Sequence, residues 1–276
     1  MKTFFSTFII AFSLLALNAC VKESENENPL PQVNPLAGLL KIGEANITGS
    51  GARAVVYAND SLTSGYNELF VQLFDTATGA QLKNGHFTIT PMMDMGAMKH
   101  SSPVENSDNA TPLNGIFKTI VVFSMPGDAS QWSLNMHLHN HANNKEGDGQ
   151  LPIAVRASSP SRIINTLMAN DGDTKVLISW AQPVKPKTGS NDFELLVHKK
   201  ESMMSYPAVE DYTFEIEPYM PSMGHGSPNN VNPVHIEKGH YRGKVNFTMT
   251  GEWQIKLKVY KNGVLLRDDL MFETRF

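Results

Sequence analysis

Short runs that alternate apolar with polar residues recur along most of this chain. "FTIT", "FKTIVVFSM", "YTFEIE", "KVNFTM" and "WQIKLKVY" are rich in Val, Ile, Phe and Thr, and in each the apolar residues fall at every second position or close to it. A period of two puts one face of a strand in a core and the other in water. Clusters of Gly, Asn, Asp and Pro separate the runs at turn-like spacing, and no stretch carries a long helical period. The pattern predicts an all-β protein built from sandwiches of immunoglobulin-like size, each with about seven strands.

The pattern also repeats. At an offset of 124 positions, Gly65, Asn67, Glu68 and Leu69 meet Gly189, Asn191, Asp192 and Phe193. At the same offset Gly115, Phe117, Lys118, Val121, Phe123, Ser124 and Met125 meet Gly239, Tyr241, Arg242, Val245, Phe247, Thr248 and Met249. Between these blocks, Met98 to Pro103 lies on Met223 to Pro228 only after a small shift, as a short loop insertion would give. We therefore expect two tandem β-sandwich domains, residues 41–158 and 159–276, jointed near the Ser/Pro-rich stretch Arg156 to Asn165.

The N-terminus departs from this pattern. Lys2 is followed by an uncharged apolar run through Leu17, then by small Ala19 and the single cysteine, Cys20. That is an export signal, expected to be cleaved. Leu17-Asn18-Ala19-Cys20 resembles a bacterial lipobox, which implies cleavage after residue 19 and a lipid on Cys20. The alternative is a plain secretory signal that leaves a free thiol with no disulfide partner. Residues 20–40, acidic and amide-rich and then punctuated by proline, read as a flexible tether. "VKESENE" resembles the surface-export signals of Bacteroidetes lipoproteins. The expected location is the outer membrane, lipid-anchored, on its cell-surface or periplasmic face.

Net charge narrows the partners. At −4 over 276 residues, with a pI near 6.1, the chain offers no basic field for nucleic acid. There is no Gly-x-Ser-x-Gly elbow, phosphate-cradling glycine loop or His-Glu-x-x-His, so the sequence points to no enzyme. With the only cysteine lipidated, any metal chemistry falls to histidine, methionine or carboxylate.

Two constellations carry such chemistry. "PYMPSMGHGSP" places Met220, Met223 and His225 between prolines, with His235 and His240 farther along the same crossing. Its echo "PMMDMGAMKHSSP" holds Met92, Met93, Met95, Met98 and His100. Thioether and imidazole on a stiff loop suit soft metals, Cu(I) first. The same methionines would also serve as flexible plugs for the end of a sandwich. In "QWSLNMHLHNHANN", alternation puts Trp132, Leu134, Met136 and Leu138 on one face and Asn135, His137, His139 and His141 on the other. Such a histidine stripe suits Cu(II) or Zn(II), or is simply a solvated face.

Phe214 to Val259, "FEIEPYMPSMGHG…GHYRGKVNFTMTGEWQIKLKV", resembles the YtkA-like domain and the similar FixH-like domains. The first half matches less well: Gly96 and His100 are separated, and Phe117 stands for the tyrosine. The resemblance implies small extracytoplasmic β-sandwiches associated with copper handling or oxidase assembly, here as a tandem pair. The expected function is a non-enzymatic lipoprotein that binds copper for buffering, delivery or sensing, with zinc a second ion for the stripe. An envelope protein involved in copper handling is the expected partner. The alternative is a metal-free structural or interaction module on the envelope.

Overall fold

A computed structural model describes residues 34–276, so the signal and Cys20 lie outside the described residues. The described chain is all-β, as the alternation requires. The first sandwich is built from β1 (Leu40–Ile47), β2 (Ala52–Ala58), β3 (Gly65–Asp75), β4 (Gln81–Leu82), β5 (His86–Asp94), β6 (Lys99–Ser101), β7 (Val104–Glu105), β8 (Ile116–Phe123), β9 (Gly127–Asn140) and β10 (Lys145–Val155). The second comprises β11 (Ile163–Met168), β12 (Thr174–Gln182), β13 (Gly189–Lys199), β14 (Tyr212–Met220), β15 (His225–Gly226), β16 (Val231–Glu237), β17 (His240–Phe247), β18 (Glu252–Lys261) and β19 (Val264–Arg275). The expected seven strands per sandwich is an undercount, because pairs as short as β6, β7 and β15 leave no periodic signal.

One strand order is used twice. The first sandwich packs β1-β2-β3-β8-β7, with β4 on β3, against β10-β9-β5-β6. The second packs β11-β12-β13-β17-β16 against β15-β14-β18-β19. The sequence offset is preserved in the pairing: Gly65 faces Phe123 and Asn67 faces Val121, as Gly189 faces Phe247 and Asn191 faces Val245. Asn67 and Asn191 show why that block recurs. The Asn67 side chain takes the Thr63 N–H at 3.0 Å and donates to the Thr63 and Gly65 carbonyls at 2.7 and 2.8 Å. Asn191 treats Lys187 and Gly189 in the same way. The asparagine satisfies backbone groups that the strand entry leaves unpaired.

Each sandwich has its own core. Trp132, Leu134, Met136 and Leu138 of β9 are buried in one; Trp253, Ile255, Leu257 and Val259 of β18 are buried in the other. Burying each large side chain contributes about 1.5–3 kcal/mol, which is how chains without disulfides hold such sandwiches together. The second core has an added fastener, in which the Tyr241 hydroxyl donates to the Val209 carbonyl and accepts the Tyr212 N–H. Phe117 occupies the matching position in the first core and has no hydroxyl to do this. The Gly-x-Tyr motif is thus architectural at both residues. Gly239 has φ +76°, and a side chain there would meet the Val197 carbonyl at 2.5 Å.

The two sandwiches also touch. The Ser101 N–H donates to the Met203 carbonyl at 2.8 Å, and His240 of β17 lies between Glu194 of β13 and Glu105 of β7.

Candidate functional site

The twice-quoted motif is a β-hairpin at one end of each sandwich. In the second, β14 turns through Pro221, Ser222, Met223 and Gly224 into β15, so that Met220 pairs directly with His225. In the first, Met93 of β5 pairs directly with His100 of β6. Six residues lie between Met and His in the first hairpin and four in the second, so the two loops differ in length at the place where the sequence offset shifts. Direct partners on adjacent antiparallel strands have Cβ atoms about 4.5–5.5 Å apart, a gap that a thioether and an imidazole can close onto one ion.

Beneath each pair lies a tryptophan. The His100 ring meets Trp132 edge-on at 5.8 Å, and the His225 ring meets Trp253 at 6.0 Å. Each indole N–H donates to a methionine carbonyl, Met125 at 3.2 Å and Met249 at 3.0 Å. The buried methionines reach the same place: Met93 Cε lies 3.1 Å from where a Gly127 side chain would begin, and Met220 Cε 2.9 Å from the equivalent point at Gly251.

The imidazoles are held in one tautomer. His100 Nδ1 lies 2.7 Å from the Ser101 carbonyl and His225 Nδ1 lies 2.8 Å from that of Gly226. A carbonyl only accepts, so Nδ1 must carry the hydrogen and the neutral ring keeps its lone pair on Nε2. His100 Nε2 is buried with no hydrogen-bond partner. A backbone carbonyl that fixes the tautomer is the usual arrangement behind a metal-ligating histidine.

Residues 169–258 match the YtkA-like family model. The YtkA-like match takes in the second hairpin, Trp253 and the Gly-x-Tyr strand; the first sandwich lies outside it. No curated protein matches the chain. Among solved structures, the adhesin InvE of Yersinia pseudotuberculosis is similar at 12% identity over 80% of this chain and 57% of that one, with a TM-score of 0.25. InvD of the same organism gives 11% identity over 78% and 54%, also at 0.25. The Escherichia coli adhesin FdeC gives 13% identity over 82% and 65%, again at 0.25. The chain thus spans less than two thirds of each of these structures.

The other expected ligands of the second sandwich are not at the hairpin. His235 of β16 lies in the opposite sheet, its ring 5.3 Å from Tyr241. His240, also in that sheet, is 9% exposed and lies 2.6 Å from Glu194 through Nδ1 and 3.1 Å from Glu105 through Nε2. Burial opposes a charge on that ring, but its hydrogen bonds to Glu105 and Glu194 and their negative charge prevail and raise its pKa to about 9. Nearby His198 has no carboxylate in contact, and burial pushes it down to about 4. His240 is therefore an ion-paired joint between the sandwiches.

In the first half, Met92 is half-buried, while Met95 and Met98 in the hairpin loop are 37% and 42% exposed. Met203 and Met204, which the sequence reading passed over, are exposed on a loop of the second sandwich whose Met203 carbonyl binds Ser101. The histidine stripe divides. His137 Nδ1 lies 2.9 Å from the Asp148 carboxylate, whereas the His139 and His141 rings lie 5.2 Å apart. Among the described residues, no three His, Cys, Asp or Glu side chains already converge as a metal would require.

Proposed function

We propose that this protein is a non-enzymatic extracytoplasmic lipoprotein, anchored through Cys20, that binds Cu(I) at two Met/His hairpins and buffers, delivers or senses it. The observation that carries the reading is the held tautomer: in both hairpins a backbone carbonyl takes Nδ1–H and leaves the lone pair on Nε2, and in both the histidine stands directly across the strands from a methionine. Thioether with imidazole favours Cu(I) over harder ions. Met98 and Met223, exposed on the loops, would pass an ion to the buried Met93 and Met220. Tryptophan closes each site on its inner side.

The test is anaerobic Cu(I) titration of the full chain in detergent micelles against a colorimetric chelator. Two tight equivalents are expected, and His100→Gln and His225→Gln should each remove one. A double variant that binds Cu(I) like the wild type would overturn the reading.

A further inference from the structure

The outer face of the first sandwich brings together a histidine that its sequence position does not announce. His86 opens β5 and pairs in register with His139 on β9. Its ring lies 4.7 Å from that of His141 and 6.2 Å from that of His139, and the His139 and His141 rings are 5.2 Å apart. Three imidazoles thus form a triangle on the surface, and His137, the outer residue before His139 on the strand, is not part of it.

The dimensions suit an ion. With metal–nitrogen bonds of about 2.0–2.1 Å and each ring centre about 1.1 Å beyond its nitrogen, tetrahedral ligation puts ring centres about 5.2 Å apart. Two of the three separations lie within about half an ångström of that value and the third is about an ångström longer. The rings do not yet converge, but they are free to turn. The His86 and His141 rings are exposed, and neither has a hydrogen-bond partner among the described residues. Reorienting an exposed side chain costs little beside a metal–imidazole bond. His139 is already held from behind: the Asn144 side-chain oxygen accepts from its Nε2 at 3.1 Å, which leaves the lone pair on Nδ1. Glu146, 3.8 Å from that Nδ1, supplies an oxygen for a fourth position.

We propose that His86, His139 and His141 form a surface site for a divalent cation of borderline softness, Zn(II) or Cu(II), separate from the Met/His hairpins. The donor set contains no sulfur, so it selects a different ion from the hairpins and does not depend on their reading.

The test is calorimetric titration of the full chain in detergent with Zn(II) at neutral pH, with His86→Gln, His141→Gln and His137→Gln beside the wild type. All three residues are exposed, so the variants should fold, which circular dichroism checks. One equivalent is expected, weakened at least about tenfold by H86Q and by H141Q and little changed by H137Q. The H100Q/H225Q double variant should bind Zn(II) as the wild type does, even if it has lost Cu(I). The proposal is overturned if Zn(II) does not bind, if H137Q costs as much as H86Q, or if the triple variant H86Q/H139Q/H141Q binds like the wild type.

Discussion

The two Met/His hairpins share a fold, a cross-strand pair and a tryptophan, yet they differ in how they meet solvent. His100 is 3% exposed with its Nε2 sealed, whereas His225 is half-exposed; at the loop tips Met98 is 42% exposed and Met223 60%. The local motif does not explain this, since the better-preserved Met-Gly-His belongs to the more open copy. The first hairpin has a neighbour: the loop carrying Met203 hydrogen-bonds the backbone of Ser101 along the free edge of β6. A duplicated motif can thus keep its cross-strand pair and diverge in access when one copy is packed against the other domain.

The severest way to break the comparison is to remove the shared floor. Trp132→Ala and Trp253→Ala should each destabilise by about 3–5 kcal/mol in urea unfolding, since both indoles are buried and hydrogen-bonded. A loss below about 1 kcal/mol in either would mean that the two ends are not built alike.

Uncoupling the sandwiches should have the next largest effect. The His240 pKa is about 9 in the fold against about 6.5 when unfolded. Its contribution is complete below pH 6.5 and is lost as pH rises through about 9. The full difference is worth about 3 kcal/mol. His198, pushed down to about 4, acts with the opposite sign and costs stability as pH falls from 6.5 towards 4. Denaturation at pH 6.5 and 9.5 should show the first loss, and His240→Gln should flatten it. An unchanged alkaline slope in H240Q would assign the loss elsewhere.

Met93→Leu and Met220→Leu sharpen the chemistry, because they conserve volume and should cost less than about 1.5 kcal/mol. Cu(I) affinity should nevertheless fall in both. If only one falls, the two copies have parted in function. The smallest effect belongs to the loop tips, where Met98→Ala and Met223→Ala should shift stability by no more than about 0.5 kcal/mol. Peroxide footprinting read by mass spectrometry should oxidise Met223 and Met98 before the buried Met220 and Met93. Equal rates would remove the difference in access.

Much of this could be read from the sequence where the relevant physics is local. Alternation at Trp132 to Leu138 and Trp253 to Val259 marks a core face because strand side chains alternate. The 124-residue offset survives in the pairing of Gly65 with Phe123 and of Gly189 with Phe247, since Gly and Asn fix the strand entry by short-range hydrogen bonds. Met220 and His225 lie on one hairpin, so their pairing needs only a turn. The grouping of His225 with His235 and His240 was not legible, because the crossing between β15 and β16 carries the chain to the other sheet. Nor was the choice of His86 over His137, since register across β5 and β9, not spacing along β9, decides which rings meet.

By itself the sequence determined an all-β chain, two repeats, a buried stripe in each and a methionine–histidine pair between prolines. These follow from period-two patterning and turn residues, which act over a few positions. Tertiary structure alone decided that His240 joins Glu105 to Glu194, that His100 is sealed where His225 is open, and that His86 completes a triangle with His139 and His141. Each depends on residues distant in sequence meeting across strands or domains, and those meetings are set by the packing of whole sheets.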